Sequence, residues 1–156
     1  MGKSKHDDGG GVNYVCLPLD PEFPSNAQSG FQSGSYMYGV EYEKGRSSRF
    51  FADQDDHNAP CAVCEVQGRS AVLMIPAKRS CPAGWTKEYD GLLASQDHYE
   101  YEGSTFVCVS HGMESRPGGN VNEDAGVMYV VEARCGSLPC PPYRNGYELS
   151  CVVCTK

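Results

Sequence analysis

Cys61-Ala-Val-Cys64 and Cys151-Val-Val-Cys154 are two copies of one phrase, and the residues ahead of each copy repeat with it. Met37-Tyr38-Gly39-Val40-Glu41 lies 24 residues before Cys61, and Met128-Tyr129-Val130-Val131-Glu132 lies 23 before Cys151. Further back, Tyr14-Val15-Cys16 and Phe106-Val107-Cys108 precede those methionines, by 21 and 20 residues counted from the cysteines. His6 and Gly11 fall on His98 and Gly103 at the same offset of 92 that relates Cys16 to Cys108. Offsets of 92, 91 and 90 at three anchors keep the stretches in register. They predict two tandem homologous halves, roughly 12–66 and 81–156, related by a pseudo-twofold within one domain over 12–156.

The residues inside the phrase bear on its chemistry. A zinc knuckle turns tightly between its thiolates, whereas Ala-Val and Val-Val favour extended backbone. A thioredoxin-type pair needs a helix start and a lowered thiol pKa, and flanks such as Val63, Val66, Val152 and Val153 supply neither. On a strand, residues i and i+3 point to opposite faces, so the two cysteines of one phrase reach different partners rather than each other. This structural reading is preferred, with zinc left as an alternative.

The rest of the chain speaks the same strand vocabulary. Its apolar segments are short, β-branched or aromatic, and bounded by Gly, Pro, Asn or Asp, and no window of a dozen residues keeps a 3.6 period. The expected fold is all-β, with strands over 13–17, 36–43, 61–66, 70–75, 88–94, 105–110, 127–134 and 147–154. Asn145-Gly146 suits the positive-φ positions of a tight hairpin turn. Long loops are expected at 18–35, 44–60, 76–87 and 111–126, and loops of that length carry function or are stapled by disulfides.

Composition bounds the function. At 156 residues and 40% hydrophobic the chain can bury one core, which a duplicated pair would share. The 18 Gly and 10 Pro are scattered without a Gly-X-Y period, which excludes a collagen triple helix within these residues. Nine cysteines in so loop-rich a chain point to an oxidising extracellular compartment, and so to a secreted protein. A net charge of −7 with no basic stripe argues against nucleic acid and suits cations. The longest apolar run, Ala71-Val-Leu-Met-Ile75, is far short of a bilayer span, so no membrane insertion is expected. Met1-Gly-Lys-Ser-Lys-His-Asp-Asp8 carries no apolar signal core, so either a signal has been removed or export uses none. Residues 1–11, polar and Gly-rich, are expected to form a flexible segment.

Several motifs carry a family resemblance. Pro60-Cys61-Ala-Val-Cys64-Glu65, Met74-Ile-Pro76 and Cys81-Pro-Ala-Gly-Trp85, with Tyr89 and Gly91, resemble the join between the halves of the non-collagenous C-terminal domain of type IV collagen. Closer is the similarity to the C-terminal domain of sponge short-chain collagens. It is carried by Gly10-Gly-Val-Asn-Tyr-Val-Cys-Leu-Pro18, Tyr38-Gly-Val-Glu-Tyr42, Cys135-Gly-Ser-Leu-Pro-Cys-Pro-Pro-Tyr143 and Glu148-Leu-Ser-Cys-Val-Val-Cys-Thr-Lys156, and it covers nearly the whole chain. The sequence departs from the family in having no Gly-X-Y region, and no segment ahead of Gly9 with another Cys-Pro. Similar stand-alone domains occur among marine-invertebrate lectins that bind galactose through calcium. The type IV resemblance implies the pairs Cys81–Cys154, Cys108–Cys151 and Cys16–Cys61, with Cys135 and Cys140 closing a local loop and Trp85 as a packing residue. Cys64 is then odd, either a buried inert thiol or the inter-chain bridge of a disulfide-linked homodimer.

What the halves do not share marks a candidate site. The loop before the first phrase reads Phe51-Ala-Asp53-Gln-Asp55-Asp56-His57-Asn58, while its counterpart, Ser137-Leu-Pro-Cys-Pro-Pro-Tyr-Arg144-Asn145, has no acid. Asp53, Asp55, Asp56 and Glu43, with Glu41 or backbone carbonyls in support, are the hard oxygens that calcium requires, and His57 and Asn58 stand beside them as sugar ligands. An ordinary solvated acidic loop is the plain alternative. In Asp97-His98-Tyr99-Glu100-Tyr101-Glu102 the tyrosines and glutamates alternate as on a strand, so Tyr99 and Tyr101 either pack inward or offer flat faces to a sugar. Glu41 and Glu132 recur in both halves and are read as structural.

No catalytic constellation is legible, with eight cysteines committed to bridges and the ninth on an apolar segment, the four histidines at no metal-hydrolase spacing, and no Gly-x-Ser-x-Gly elbow. The expectation is a non-enzymatic glycan-binding protein (a lectin), calcium-dependent and galactose-directed, acting as a homodimer. The alternative is an extracellular-matrix assembly domain of the short-chain collagen type.

Overall fold

The computed structural model describes residues 2, 4–6, 9–45, 48–101 and 103–156. Met1, Lys3, Asp7 and Asp8 of the expected flexible segment, and Glu102 of the second acidic cluster, lie outside them. The architecture is all-β. Strands β1 (Val40–Tyr42), β2 (Val72–Pro76), β3 (Thr86–Ser95), β4 (Val107–Ser110), β5 (Gly126–Val130) and β6 (Ser150–Thr155) form one sheet in the order β1-β5-β3-β6-β2, with β4 beside β3. The one helical element among the described residues is a single 3-10 turn, Ala52–Gln54. Among them, no helix is long and apolar enough to cross a membrane.

The long strand β3 organises this layout because it meets three others. Its first part pairs antiparallel with β6 (Thr86↔Thr155 to Leu92↔Ser150), its last part with β4 (Gly91↔Ser110 to Ala94↔Val107), and its end with β5 (Ala94↔Val130, Ser95↔Tyr129). Gly91 is required where β3 meets β4, since a Cβ there would lie 1.6 Å from the Val109 carbonyl oxygen. β1 joins the far side of β5 by a parallel ladder, Val40↔Gly126 to Tyr42↔Met128. The core fills in under this junction from both parts of the chain, with Val40, Tyr42 and Phe51 packed against Ala94, Val109 and Met128.

All four disulfides have the pairing that the resemblance implies: Cys16–Cys61, Cys81–Cys154, Cys108–Cys151 and Cys135–Cys140. They place the chain in an oxidising setting. Cys151 and Cys154 lie on β6 and, three residues apart, reach partners on different segments, as extended geometry requires. Cys64 is free and exposed, so the buried-thiol reading is wrong. Trp85, expected in the core, is half-buried ahead of β3 and outside the central cluster.

Two expected strands do not form. Residues 13–17 and 61–66 are irregular, although Cys16 and Cys61 are bonded to each other as Cys108 and Cys151 are on β4 and β6. The physical reason is pairing. Among the described residues, no strand takes beside 13–17 and 61–66 the place that β3 takes beside β4 and β6. The matched anchors also differ in environment, Met128 being buried and Met37 exposed, so the halves share a bridge and not a strand layout. At Asn145-Gly146 only Gly146 takes a positive φ (75°), and Arg144 C=O accepts from Tyr147 N–H at 3.2 Å. Asn145 instead accepts the Cys135 N–H through its side chain (2.9 Å). Of the expected flexible segment, Gly2 exchanges backbone bonds with Tyr38 (3.0 and 2.8 Å) and Lys5 N–H reaches Ala125 C=O (2.7 Å).

The close approach at Gly91 yields a stability prediction. Gly91→Ala forces the β3·β4 backbones apart and should cost about 1–3 kcal/mol in a urea titration. Gly103→Ala, where a Cβ meets nothing within 4 Å, should leave the midpoint unchanged. Equal midpoints for the two variants would contradict this packing.

Candidate functional site

The site begins where β1 ends. Beyond Tyr42 the chain runs through Glu43 and Lys44, and the acidic loop then returns along the outer edge of β1. Tyr42 N–H donates to His57 C=O (2.9 Å), Asp56 N–H to Tyr42 C=O (3.0 Å) and Ala59 N–H to Val40 C=O (2.8 Å). The return is made at Asp56, whose φ of 60° lies in the left-handed region that Asp tolerates better than most residues. Glu43, Asp55 and Asp56 are thereby brought together, each half-buried, with a carboxylate oxygen from each within 4.8 Å of the others.

Three carboxylates at that spacing repel. Burial, and then the charges of Asp56 and Asp55, push the Glu43 carboxyl up to about 7. Asp55 is lowered instead. Burial alone would raise it, but it accepts a hydrogen bond from the Lys44 ammonium and another from the Lys44 backbone N–H at 2.9 Å, and these, with the ammonium charge, prevail. His57 donates its Nδ1–H to the Asp55 carbonyl at 2.8 Å, which fixes the turn from the other side.

Two members of this triad, Glu43 and Asp55, line a groove of ≈ 1250 Å³. Glu43, Lys44 and Asp55 form one wall, residues 96–101 the other, and Tyr129, Val130 and Val131 line the β5 side. The segment 97–101 is a turn and not the expected strand, so Tyr99 (83% exposed) and Tyr101 (72%) stand in solvent at the groove instead of packing inward. The reason is local. Asp97 accepts from the His98 backbone N–H at 2.6 Å and Glu100 N–H bonds back to Asp97 C=O at 3.2 Å, which curls the chain before alternation can pair with anything. Tyr129 is held neutral by burial and by the surrounding charges of Glu43, Glu100, Asp97 and Asp124. Lys5 pairs with Asp124. Burial would lower the Lys5 ammonium pKa, but that pairing and the nearby Glu100 and Glu43 raise it.

Of the residues expected at a site, the structure brings Glu43, Asp55 and Asp56 into one cluster and sets Glu43, Asp55, Tyr99 and Tyr101 around one groove. Asp53 is exposed on the 3-10 turn, outside the cluster. Asn58 faces the turn at 116–119, taking Arg116 N–H (2.9 Å) and giving its own N–H to Gly119 (2.8 Å), and neither it nor His57 lines the groove. Glu41, buried to 1% exposure, accepts the Glu123 N–H at 3.2 Å and serves the packing, as its recurrence suggested. Sequence reasoning missed Tyr129, which recurs as Tyr38 and reads as structural, and Gln96, whose Nε2 is buried with no partner among the described residues and which lines the groove. Only the orphaned amide of Gln96 marks it, and that is invisible in sequence.

The donor set fits a hard cation. Oxygens on opposite sides of a calcium ion, each about 2.3–2.6 Å from it, lie about 5 Å apart, so oxygens within 4.8 Å of one another can surround one ion. Lys44 is the cation now at Asp55, and its side chain is half-exposed.

The cluster has a pH signature. The Glu43 carboxyl is raised from its ordinary value of 4.5 to about 7, so its favourable contribution is present below pH 4.5 and is lost as pH climbs through 7. In chelator, Glu43→Gln should melt higher than the parent at about pH 8 and level with it at about pH 4; added calcium should raise the melting temperature of the parent more than that of the variant. Parallel pH profiles for the two chains would dissolve the cluster. No family model matches the chain and no solved structure matches its fold, so the groove is read from its own residues.

Proposed function

We propose that the chain is a secreted glycan-binding protein without catalytic activity, calcium-dependent and galactose-directed, that takes its sugar in the groove. The observation that carries the reading is convergence. The carboxylates of Glu43 and Asp55, clustered with that of Asp56, and the exposed rings of Tyr99 and Tyr101 come from segments far apart in the chain, yet Glu43, Asp55 and the two rings meet at one concavity. Glu43, Asp55 and Asp56 would hold the ion, which when bound offers coordination positions to vicinal hydroxyls in place of water. Tyr99 and Tyr101 supply flat, apolar surfaces with a hydrogen-bonding tip, suited to the less polar face of a pyranose. Tyr129, held protonated, adds a donor along the wall for ring or hydroxyl oxygens. The resemblance to short-chain collagen domains and to galactose-binding invertebrate lectins agrees with this assignment.

The second reading, a matrix-assembly domain, is favoured by a different surface. Val15, Leu17 and Val63 are exposed around the Cys16–Cys61 bridge, and the free thiol of Cys64 stands next to Val63. Apolar surface with an exposed odd cysteine suits a homodimer linked through Cys64, which is compatible with either function.

A glycan array read with and without chelator separates the two functions, since the lectin loses galactose when calcium is removed. In titration calorimetry, Asp56→Asn should weaken calcium and galactose together by about tenfold or more, and Tyr99→Ala should weaken galactose at unchanged calcium affinity. Asp97→Asn should do much less. Galactose binding that survives excess chelator would reject the calcium assignment, and an array with no sugar hit would reject the lectin.

A further inference from the structure

The two ends of the sheet are finished differently. At one end the outer edge of β1 is covered, because residues 56–59 bond along it. At the other end is β2, and its outer side is bare. Ala71 exchanges both backbone bonds with Lys156 (3.0 Å each), and Ala77 N–H donates to Ser150 C=O (2.7 Å). In an antiparallel ladder such bonded positions alternate, so residues 71, 73, 75 and 77 spend their backbone groups on β6. The N–H and C=O of Val72 and Met74 therefore point outward, and among the described residues nothing bonds to them.

Among the described residues nothing guards this edge. Ala71-Val-Leu-Met-Ile75 has no charge, no bulge and no interior proline, the devices by which edge strands avoid pairing. Val72 is 74% exposed and Leu73 38%. The strand is also rigid, being laddered over its length to β6, whose Cys151 and Cys154 are buried in disulfides.

We propose that this edge is an interface, and that its occupant is a second copy of this chain, joined β2 to β2 in antiparallel register about a twofold axis at Leu73. The edge is complementary to itself in that register. Val72 of each copy faces Met74 of the other as a bonded pair, so every outward N–H and C=O of the two residues is satisfied. Leu73 meets Leu73 of the second copy in the close, non-bonded position, and Ile75 falls opposite the small Ala71. Pro76, which has no N–H to give, lies at the end of the ladder beyond these pairs. The charges flanking the strand do not oppose the pairing. Arg69 falls opposite Ala77 rather than another cation, and Arg69 and Arg79 are each held by a carboxylate of their own chain, Glu88 and Asp90. The acidic groove lies by β1 and β5, separated from β2 by β3 and β6, so the two most negative regions stay apart. The result is one continuous sheet across two chains, formed whether or not Cys64 is bonded between them.

The test uses the whole chain carrying Cys64→Ser, which removes covalent linkage. Sedimentation velocity should give a species of twice the chain mass. Val72→Pro removes an outward donor without touching the β6 ladder, and Val72→Lys places a charge on the edge. Each should raise the dissociation constant of the dimer at least tenfold while circular dichroism stays that of the parent. A Cys64→Ser chain that is monomeric throughout, with the edge free for some other strand, overturns the proposal, as does a dimer indifferent to both substitutions. If the variants fail to fold, amide exchange on the Cys64→Ser chain decides. The Val72 and Met74 amides should be slow when concentrated and fast when dilute, and exchange independent of concentration overturns the interface.

Discussion

Strand β6 is clamped from both sides, and the sheet is built on that clamp. Cys151, Val152 and Cys154 have no exposed surface, and the two cysteines are bonded to Cys108 on β4 and to Cys81 ahead of β3. A slip of one residue in a strand exchanges its faces, and here it would tear two covalent bonds in different directions. The register of β6 is therefore fixed, and with it that of β3 and β2, its two neighbours. From β3 the order passes to β4 and β5, and from β5 to β1. Disulfides of this kind each contribute about 2–4 kcal/mol, largely by restricting the unfolded chain. In a small domain with one modest cluster of apolar side chains, that is a large share of the whole.

What the sequence made legible was local or covalent. Six of the eight expected strands were readable, because short β-branched runs between turn residues have few other outcomes. Residues 13–17 and 61–66 carry the same composition and remain irregular, because a strand needs a neighbour and a propensity does not provide one. The alternation in 97–102 misled for a related reason. Asp97 bonds into its own turn and competes with the extended backbone, so Tyr99 and Tyr101 came out to solvent. Of the anchors that the repeat matches, Cys16 and Cys61 are bonded as Cys108 and Cys151 are, yet Cys64 is free where Cys154 is bridged, and Met37 and Met128 ended in unlike surroundings.

The acidic triad was half legible. That one half of the repeat carried acids and the other did not marked the loop, and the spacing of Asp55 and Asp56 marked the pair. Glu43 was named with them, and only that Asp53 would stay outside depends on how the loop folds back along β1 at a left-handed Asp56. Nor could the sequence tell that two acidic clusters, one before the first Cys-x-x-Cys and one after β3, would face the same concavity. That is set by the β3·β5 pairing at Ala94 and Ser95, which brings the end of β3 beside Tyr129.

The parallel pairing of β1 with β5 has a consequence for the order of assembly. It joins residues more widely separated along the chain than the other strand pairings of the sheet do, and no disulfide ties one strand to the other. With no bridge to shorten it, that closure is opposed by loop entropy, which is recovered when Tyr42 and Phe51 close over Met128. A chain with every disulfide already correct can therefore still lack its groove. Oxidation state and maturation of the binding surface become separable milestones, so that a thiol titration would certify the scaffold of a refolded sample while leaving its competence undecided.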